Sequence, residues 1–139
     1  MAEISFFSED IKFSLSNQKE VKSWLIFLVK NEGEHLSDLN IVFVSDERLL
    51  EMNREFLSHD YYTDILTFPG NTPGVSGELY ISIDRVRENA AERSVDFQDE
   101  VHRVMAHGVL HLLGYNDKND EEIKTMRERE VFYLNLRSF

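Results

Sequence analysis

The chain predicts an α+β fold, a small mixed β-sheet covered mainly on one face by helices. Three observations carry the prediction. Short β-rich runs such as 39–44 alternate with longer stretches whose apolar residues recur at helical spacing. Helical stretches outnumber the strands. The last two strand-like runs are joined by a Pro/Gly loop over 69–77, which suits a hairpin and therefore antiparallel pairing.

Taken in order, Ile4, Phe6, Ile11, Phe13 and Leu15 alternate weakly and predict a short strand or hairpin. Asn17 with Glu20 has the spacing of a capping box. Val21, Trp24, Leu25, Leu28 and Val29 then define an amphipathic helix that ends near Gly33, with Trp24 as a core anchor. Leu39 to Val44 is a buried strand. Ser45 or Asp46 can cap the next helix, whose apolar positions are Leu49, Met52 and Phe56. Thr63 to Phe68 and Glu78 to Ser82 are the hairpin strands. A helix follows from about Ile83 to Arg93, and another begins at Asp96 with Phe97, Val101, Val104, Met105, Gly108 and Leu112 as its apolar stripe. Glu100, His107 and His111 share a neighbouring stripe, predicted to face a cleft. Asn119 with Glu122 can cap a last helix carrying Ile123, Met126, Val131 and Leu134, and its first-turn acids suit the helix dipole.

With 139 residues, 42% of them hydrophobic, the chain is long enough for one domain with a real core. No repeat, linker or low-complexity tract divides it, so a single domain over 1–139 is expected. There is no cysteine, which excludes disulfides and thiolate zinc sites. The start lacks the basic segment and apolar run of a signal peptide, and no apolar run is long enough to span a bilayer. The expectation is a soluble, cytoplasmic protein without a membrane partner. A net charge of −11 argues against broad nonspecific nucleic-acid binding but leaves room for a local basic groove. Arg85, Arg87, Arg93 and Arg103 are expected on solvated helix faces.

The chemistry concentrates in His107-Gly108-Val109-Leu110-His111-Leu112-Leu113-Gly114-Tyr115-Asn116-Asp117. Histidines four apart on a helix lie one above the other. Gly114 can end the helix in a left-handed turn, and the returning chain can deliver Asp117. The skeleton H-x-x-x-H-x-x-G-x-x-D has the ligand spacing of the metzincin pattern, making this a zincin-like metal helix. Two imidazoles, one carboxylate and an open position suit a catalytic Zn2+, though the carboxylate also admits another divalent metal. In zinc peptidases a glutamate after the first histidine is the general base. Here that residue is Gly108.

This stretch resembles the H-G-x-L-H-L-x-G-Y-D-H signature of the YbeY family of metal-dependent endoribonucleases. Met52-Asn53, Asp60, Thr63-Asp64-Ile65-Leu66-Thr67-Phe68-Pro69 and Gly77-Glu78-Leu79-Tyr80-Ile81-Ser82 resemble further family blocks, and Glu100 stands where the family has a glutamate. The resemblance covers residues 39 to 130. It implies a single-stranded RNA substrate at the 3′ end of small-subunit ribosomal RNA, with ribosomal RNA and the ribosomal small subunit as partners, a role in ribosome quality control, and no nucleotide cofactor. Two positions depart from it. Asp117 replaces the family's third metal histidine, and Leu57 replaces a basic residue thought to help bind or cleave RNA. Arg54 and His59 are the nearest candidates for that catalytic role. The competing readings are a metzincin-like zinc peptidase and a non-catalytic ribosome-assembly factor that keeps its metal.

Overall fold

The computed structural model describes residues 2–139. Among these residues the order is β1 (Glu3–Ser8), α1 (Gln18–Asn31), β2 (Leu36–Val44), α2 (Asp46–Leu57), β3 (Ile65–Pro69), β4 (Val75–Ser82), α3 (Ile83–Arg93), α4 (Phe97–Leu112) and α5 (Asp120–Leu134). The strands form one mixed sheet in the order β1-β2-β4-β3. β1 and β4 both run parallel to β2, and only the β3–β4 hairpin is antiparallel.

Alternation along the strands sorts the core into two layers. Leu39, Ile41 and Phe43 of β2, with Leu79 and Ile81 of β4, face the main cluster shared with α1 and α4. Val42 and Val44 face the other side, where Leu49 and Met52 of α2 cover them together with Leu66. The sheet is therefore covered mainly on one face, with α2 alone supplying the smaller core on the other. Trp24 is buried as expected, and its indole nitrogen donates to the Tyr133 carbonyl at 2.9 Å.

Several local expectations are corrected. The stretch 11–15 forms no second strand, because β1 pairs with β2 in parallel and that stretch becomes the connection to α1. Leu15 is nevertheless buried, so its apolarity reports core contact, not strand. Asn17 is left-handed (φ 59°) and makes no side-chain cap, whereas Ser45 and Asn119 do cap their helices, accepting from the Arg48 and Glu122 backbone nitrogens. On α5 the buried side chains are Met126, Glu130 and Tyr133, while Ile123 and Val131 are exposed. Arg103 is buried, not solvated. No helix among the described residues is long and apolar enough to cross a membrane.

His102 of α4 lies against Trp24 and Phe139, and its Nδ1 is 2.7 Å from the Arg137 guanidinium. Burial, reinforced by the Arg137 charge, lowers its pKa from 6.5 to about 4. The unfolded chain binds this proton below pH 6.5 and the folded chain refuses it until about 4. Stability is therefore lost as pH falls from 6.5 to about 4, by on the order of 3 kcal/mol for this residue alone. Urea melts between pH 7 and 4 are expected to show a shallower loss of stability in His102→Phe than in the unsubstituted protein; equal slopes would exclude His102 as the source.

Candidate metal centre

Helix α4 is buried on nearly every side at its middle, with Val101, Val104, Met105, Ala106, Val109 and Leu110 all in the core. Gly108 packs directly on the sheet. A Cβ there would stand 2.6 Å from the Ile65 side chain and 2.9 Å from that of Leu79. The position that carries a catalytic glutamate in zinc peptidases thus points into the core, where no carboxylate fits. His107 and His111 flank it on the side left open by the hairpin.

The helix ends as its glycine predicts. The Gly114 nitrogen donates to the His111 carbonyl and the Tyr115 nitrogen to that of Leu110, each at 3.0 Å, and Gly114 has φ 105°. These are the two hydrogen bonds of a Schellman turn. The reversal brings Asp117 back over the histidines. His107 Nε2 and His111 Nε2 lie 3.0 Å apart, and Asp117 Oδ2 lies 3.3 and 3.4 Å from them.

This triangle fits a small divalent ion. Metal–ligand bonds of about 2.0–2.1 Å in tetrahedral geometry separate the donors by about 3.3 Å. The proton positions fit as well. His107 Nδ1 is 2.6 Å from Glu130 Oε2, and His111 Nδ1 is 2.9 Å from the Tyr115 carbonyl oxygen. Both partners are acceptors, so each Nδ1 donates its hydrogen, which leaves Nε2 of each ring as the nitrogen turned toward the same point as the carboxylate and available as a ligand. Two ring nitrogens and a carboxylate oxygen converging at these distances suit a cation.

Behind His107 lies an ion network. Arg103 is gripped by Glu100 through two hydrogen bonds of 3.0 and 2.6 Å and reaches Glu130 Oε1 at 3.1 Å. Glu100 and Glu130 are each 1% exposed, so neither carboxylate is a surface charge. Burial alone would lower the Arg103 pKa; the hydrogen bond to Glu100 and the charge of Glu130 reverse the sign and raise it. For Glu130 burial acts to raise the pKa, and the His107 hydrogen bond with the Arg103 charge outweighs it, leaving a net lowering. Glu100 therefore does not face the cleft, although it shares a stripe with the histidines. Glu130 was missed in the sequence, where it sits among the charges of 127–130. It falls between Met126 and Tyr133 on the face that α5 buries, a face that the packing of α5 reveals and its apolar pattern does not.

The three donors open into a cleft of about 600 Å³ whose walls include Asn53, Leu57, His59, Tyr61, Asp64 and Lys118. Asn53 donates through Nδ2 to the Tyr61 carbonyl at 2.9 Å and pins the 58–64 loop. Asn89 holds Asp64 at 3.1 Å. Of the two candidates near Leu57, His59 lines the cleft and contacts the Tyr61 hydroxyl at 2.9 Å. Arg54 is exposed, ion-paired with Asp60, and not among the cleft-lining side chains. Leu57 itself is on the wall.

Gly108→Glu is expected to lower the melting temperature sharply or abolish folding, since an unpaired buried carboxylate costs several kcal/mol. A stable, soluble variant would show that the helix can lift from the sheet. Gly114→Ala places a Cβ in a left-handed turn at a cost of about 1 kcal/mol. Its effect on metal affinity, followed by calorimetric titration, is expected to exceed its effect on stability, because Asp117 hangs on that turn.

Comparison with known proteins gives a consistent answer. The profile described as Endoribonuclease YbeY matches residues 3–137. A protein of that name from Cytophaga hutchinsonii is 47% identical over 138 residues, covering 98% of this chain and 96% of its own. Another from Bacteroides thetaiotaomicron is 39% identical over 135 residues, covering 96% and 98%. The solution structure of TM1509 from Thermotoga maritima aligns with a TM-score of 0.66 at 33% identity, over 95% of this chain and 87% of that one. The chain belongs to the endoribonuclease YbeY family.

Proposed function

We propose that the chain is a single-domain, metal-dependent endoribonuclease that cuts single-stranded RNA, with the 3′ end of small-subunit ribosomal RNA as its substrate and the small subunit as its partner. The observation that carries the reading is the triangle of His107 Nε2, His111 Nε2 and Asp117 Oδ2, with sides of 3.0 to 3.4 Å. The family relationship and the names of its relatives support RNA as the substrate.

His107, His111 and Asp117 would hold the ion, with Zn2+ as our assignment. When bound, such an ion supplies Lewis acidity toward the phosphodiester and a water of lowered pKa. The protein's own contribution is positional. Glu130 and the Tyr115 carbonyl keep the ring protons on Nδ1, so both Nε2 atoms stay available. Lys118 offers the cleft a cation for phosphate, and Tyr61 with His59 offers flat faces for an unpaired base. Gly108 and its lack of space argue against the peptidase reading. Leu57 on the cleft wall favours one other reading, an assembly factor that binds without cutting.

Elemental analysis of protein purified without chelators is expected to give about one divalent ion per chain, and much less in Asp117→Ala. A metal-free wild-type protein would remove the basis of the proposal. With ribosomal RNA fragments, cleavage is expected to disappear in His111→Ala and after chelation, and to return with metal only in the unsubstituted protein. Persistent ribosome association without cleavage by either protein would favour the assembly factor. The cut ends report the nucleophile: 2′,3′-cyclic phosphate for the neighbouring ribose hydroxyl, its absence for water.

A further inference from the structure

Glu130 belongs to none of the motifs, yet it is a buried carboxylate in direct contact with a proposed ligand. It stands 23 residues beyond His107 on a different helix and is 1% exposed. Its two oxygens have separate tasks. Oε1 accepts from Arg103 at 3.1 Å and from Arg127 at 3.2 Å. Oε2 faces His107 Nδ1 at 2.6 Å. Arg103 is itself fixed by its fork on Glu100, one helical turn away on α4. The guanidinium thus holds Glu130 in one orientation, and that orientation decides which imidazole nitrogen carries the proton.

We infer that Glu130 is a positioning residue for the metal centre: clamped by Arg103, it holds His107 in the Nδ1–H tautomer and aims Nε2 at the site. The inference rests on the metal-centre reading above. Two features of the geometry argue for it. A carboxylate has no proton to donate at Oε2, so the short contact requires the hydrogen on His107. The neighbouring His111 is set independently, by the Tyr115 carbonyl in the Schellman turn. The two ligands are therefore oriented by unrelated parts of the fold, and a change at Glu130 should reach one histidine and spare the other.

Glu130→Gln tests this with almost no change of shape. The two guanidinium groups need an acceptor, so the amide oxygen turns to Arg103 and Arg127 and the amide NH2 turns to His107. Nδ1 must then accept, and the proton moves to Nε2, where it blocks ligation. Long-range 15N–1H spectra of the full-length, metal-free protein at about pH 8 read each tautomer directly. The expected result is His107 changed from Nδ1–H to Nε2–H, with His111 unchanged. Titration with Co2+ alone, followed by its visible absorption, should show binding weakened about 10- to 100-fold.

A folded variant in which His107 keeps Nδ1–H, or in which Co2+ affinity is unaltered, overturns the inference. So does loss of both histidine signals together, since Glu130 would then serve the fold as a whole. If Glu130→Gln does not fold, Arg103→Lys provides the second arm. It keeps a cation near Glu130 but loses the fork, and Co2+ binding should weaken while His111 stays as it was; unaltered binding there overturns the clamp. Failure of the metal reading itself is distinguishable, because unsubstituted protein would then bind no Co2+ while the tautomer measurement still reports on Glu130.

Discussion

Three acceptor atoms aimed at one point are the constraint around which this molecule is built. With both ring hydrogens on Nδ1 and no ion between them, two imidazole lone pairs and a carboxylate oxygen at 3.0 to 3.4 Å would repel one another. Left to itself the arrangement would relax by swinging Asp117 into water or by turning a ring. Each escape is closed by a different device. Ring rotation is opposed by the hydrogen bonds at the two Nδ1 atoms. The carboxylate is returned by the glycine turn. The helix carrying both rings cannot rotate, because Gly108 seats it on Ile65 and Leu79 and the rest of its girdle is core.

The ion network under His107 belongs to the same logic. Burying Glu100, Arg103 and Glu130 is poor economy if stability is the aim, since well-packed apolar groups of similar volume commonly do as well or better. What apolar side chains cannot do is choose between the two nitrogens of an imidazole. Directional hydrogen bonds can. The network also joins α4 to α5, and Asp64, 3.6 Å from Arg103, extends it to the loop before β3. The cleft wall and the metal helix are thereby set against one another through charge as well as through packing.

Much of this was legible in the sequence, and the exceptions have physical causes. Helix α3 runs from Ile83 to Arg93, the bounds its periodicity gives, and the hairpin pairs antiparallel as its Pro/Gly loop implies. The metal turn could be read because it is local: eleven consecutive residues contain all three donors and the bend. Glu130 and Arg103 could not be read in the same way. Their meaning depends on how α4 and α5 pack, and a charged residue in a helix is ordinarily solvated. The exposed Val131 and Ile123 misled for the converse reason, since the buried stripe of α5 runs through Glu130. The 11–15 stretch alternates because its apolar residues lie against the core, not because it pairs as a strand.

Asp117 has a consequence that its neighbours make larger. An acid in place of a third imidazole removes one positive unit from the loaded site, leaving a divalent ion with net charge of about +1 among its three protein ligands in place of +2. The same cleft has the apolar Leu57 on its wall, and its lining carries Asp64 as well as Lys118. Attraction for phosphate is reduced on both counts, in a chain whose net charge is already −11. On the proposed reading, RNA binding would lean on contacts that do not depend on charge. The exposed Tyr61, held over the cleft by Asn53 and paired with His59, is the surface suited to that, since stacking on an unpaired base is indifferent to the protein's overall sign. On the proposed endoribonuclease reading, strand form would matter more than field: a duplex would offer no free base face to the aromatic pair, whereas a flexible single strand would bring base and phosphate to the wall and the metal triangle together.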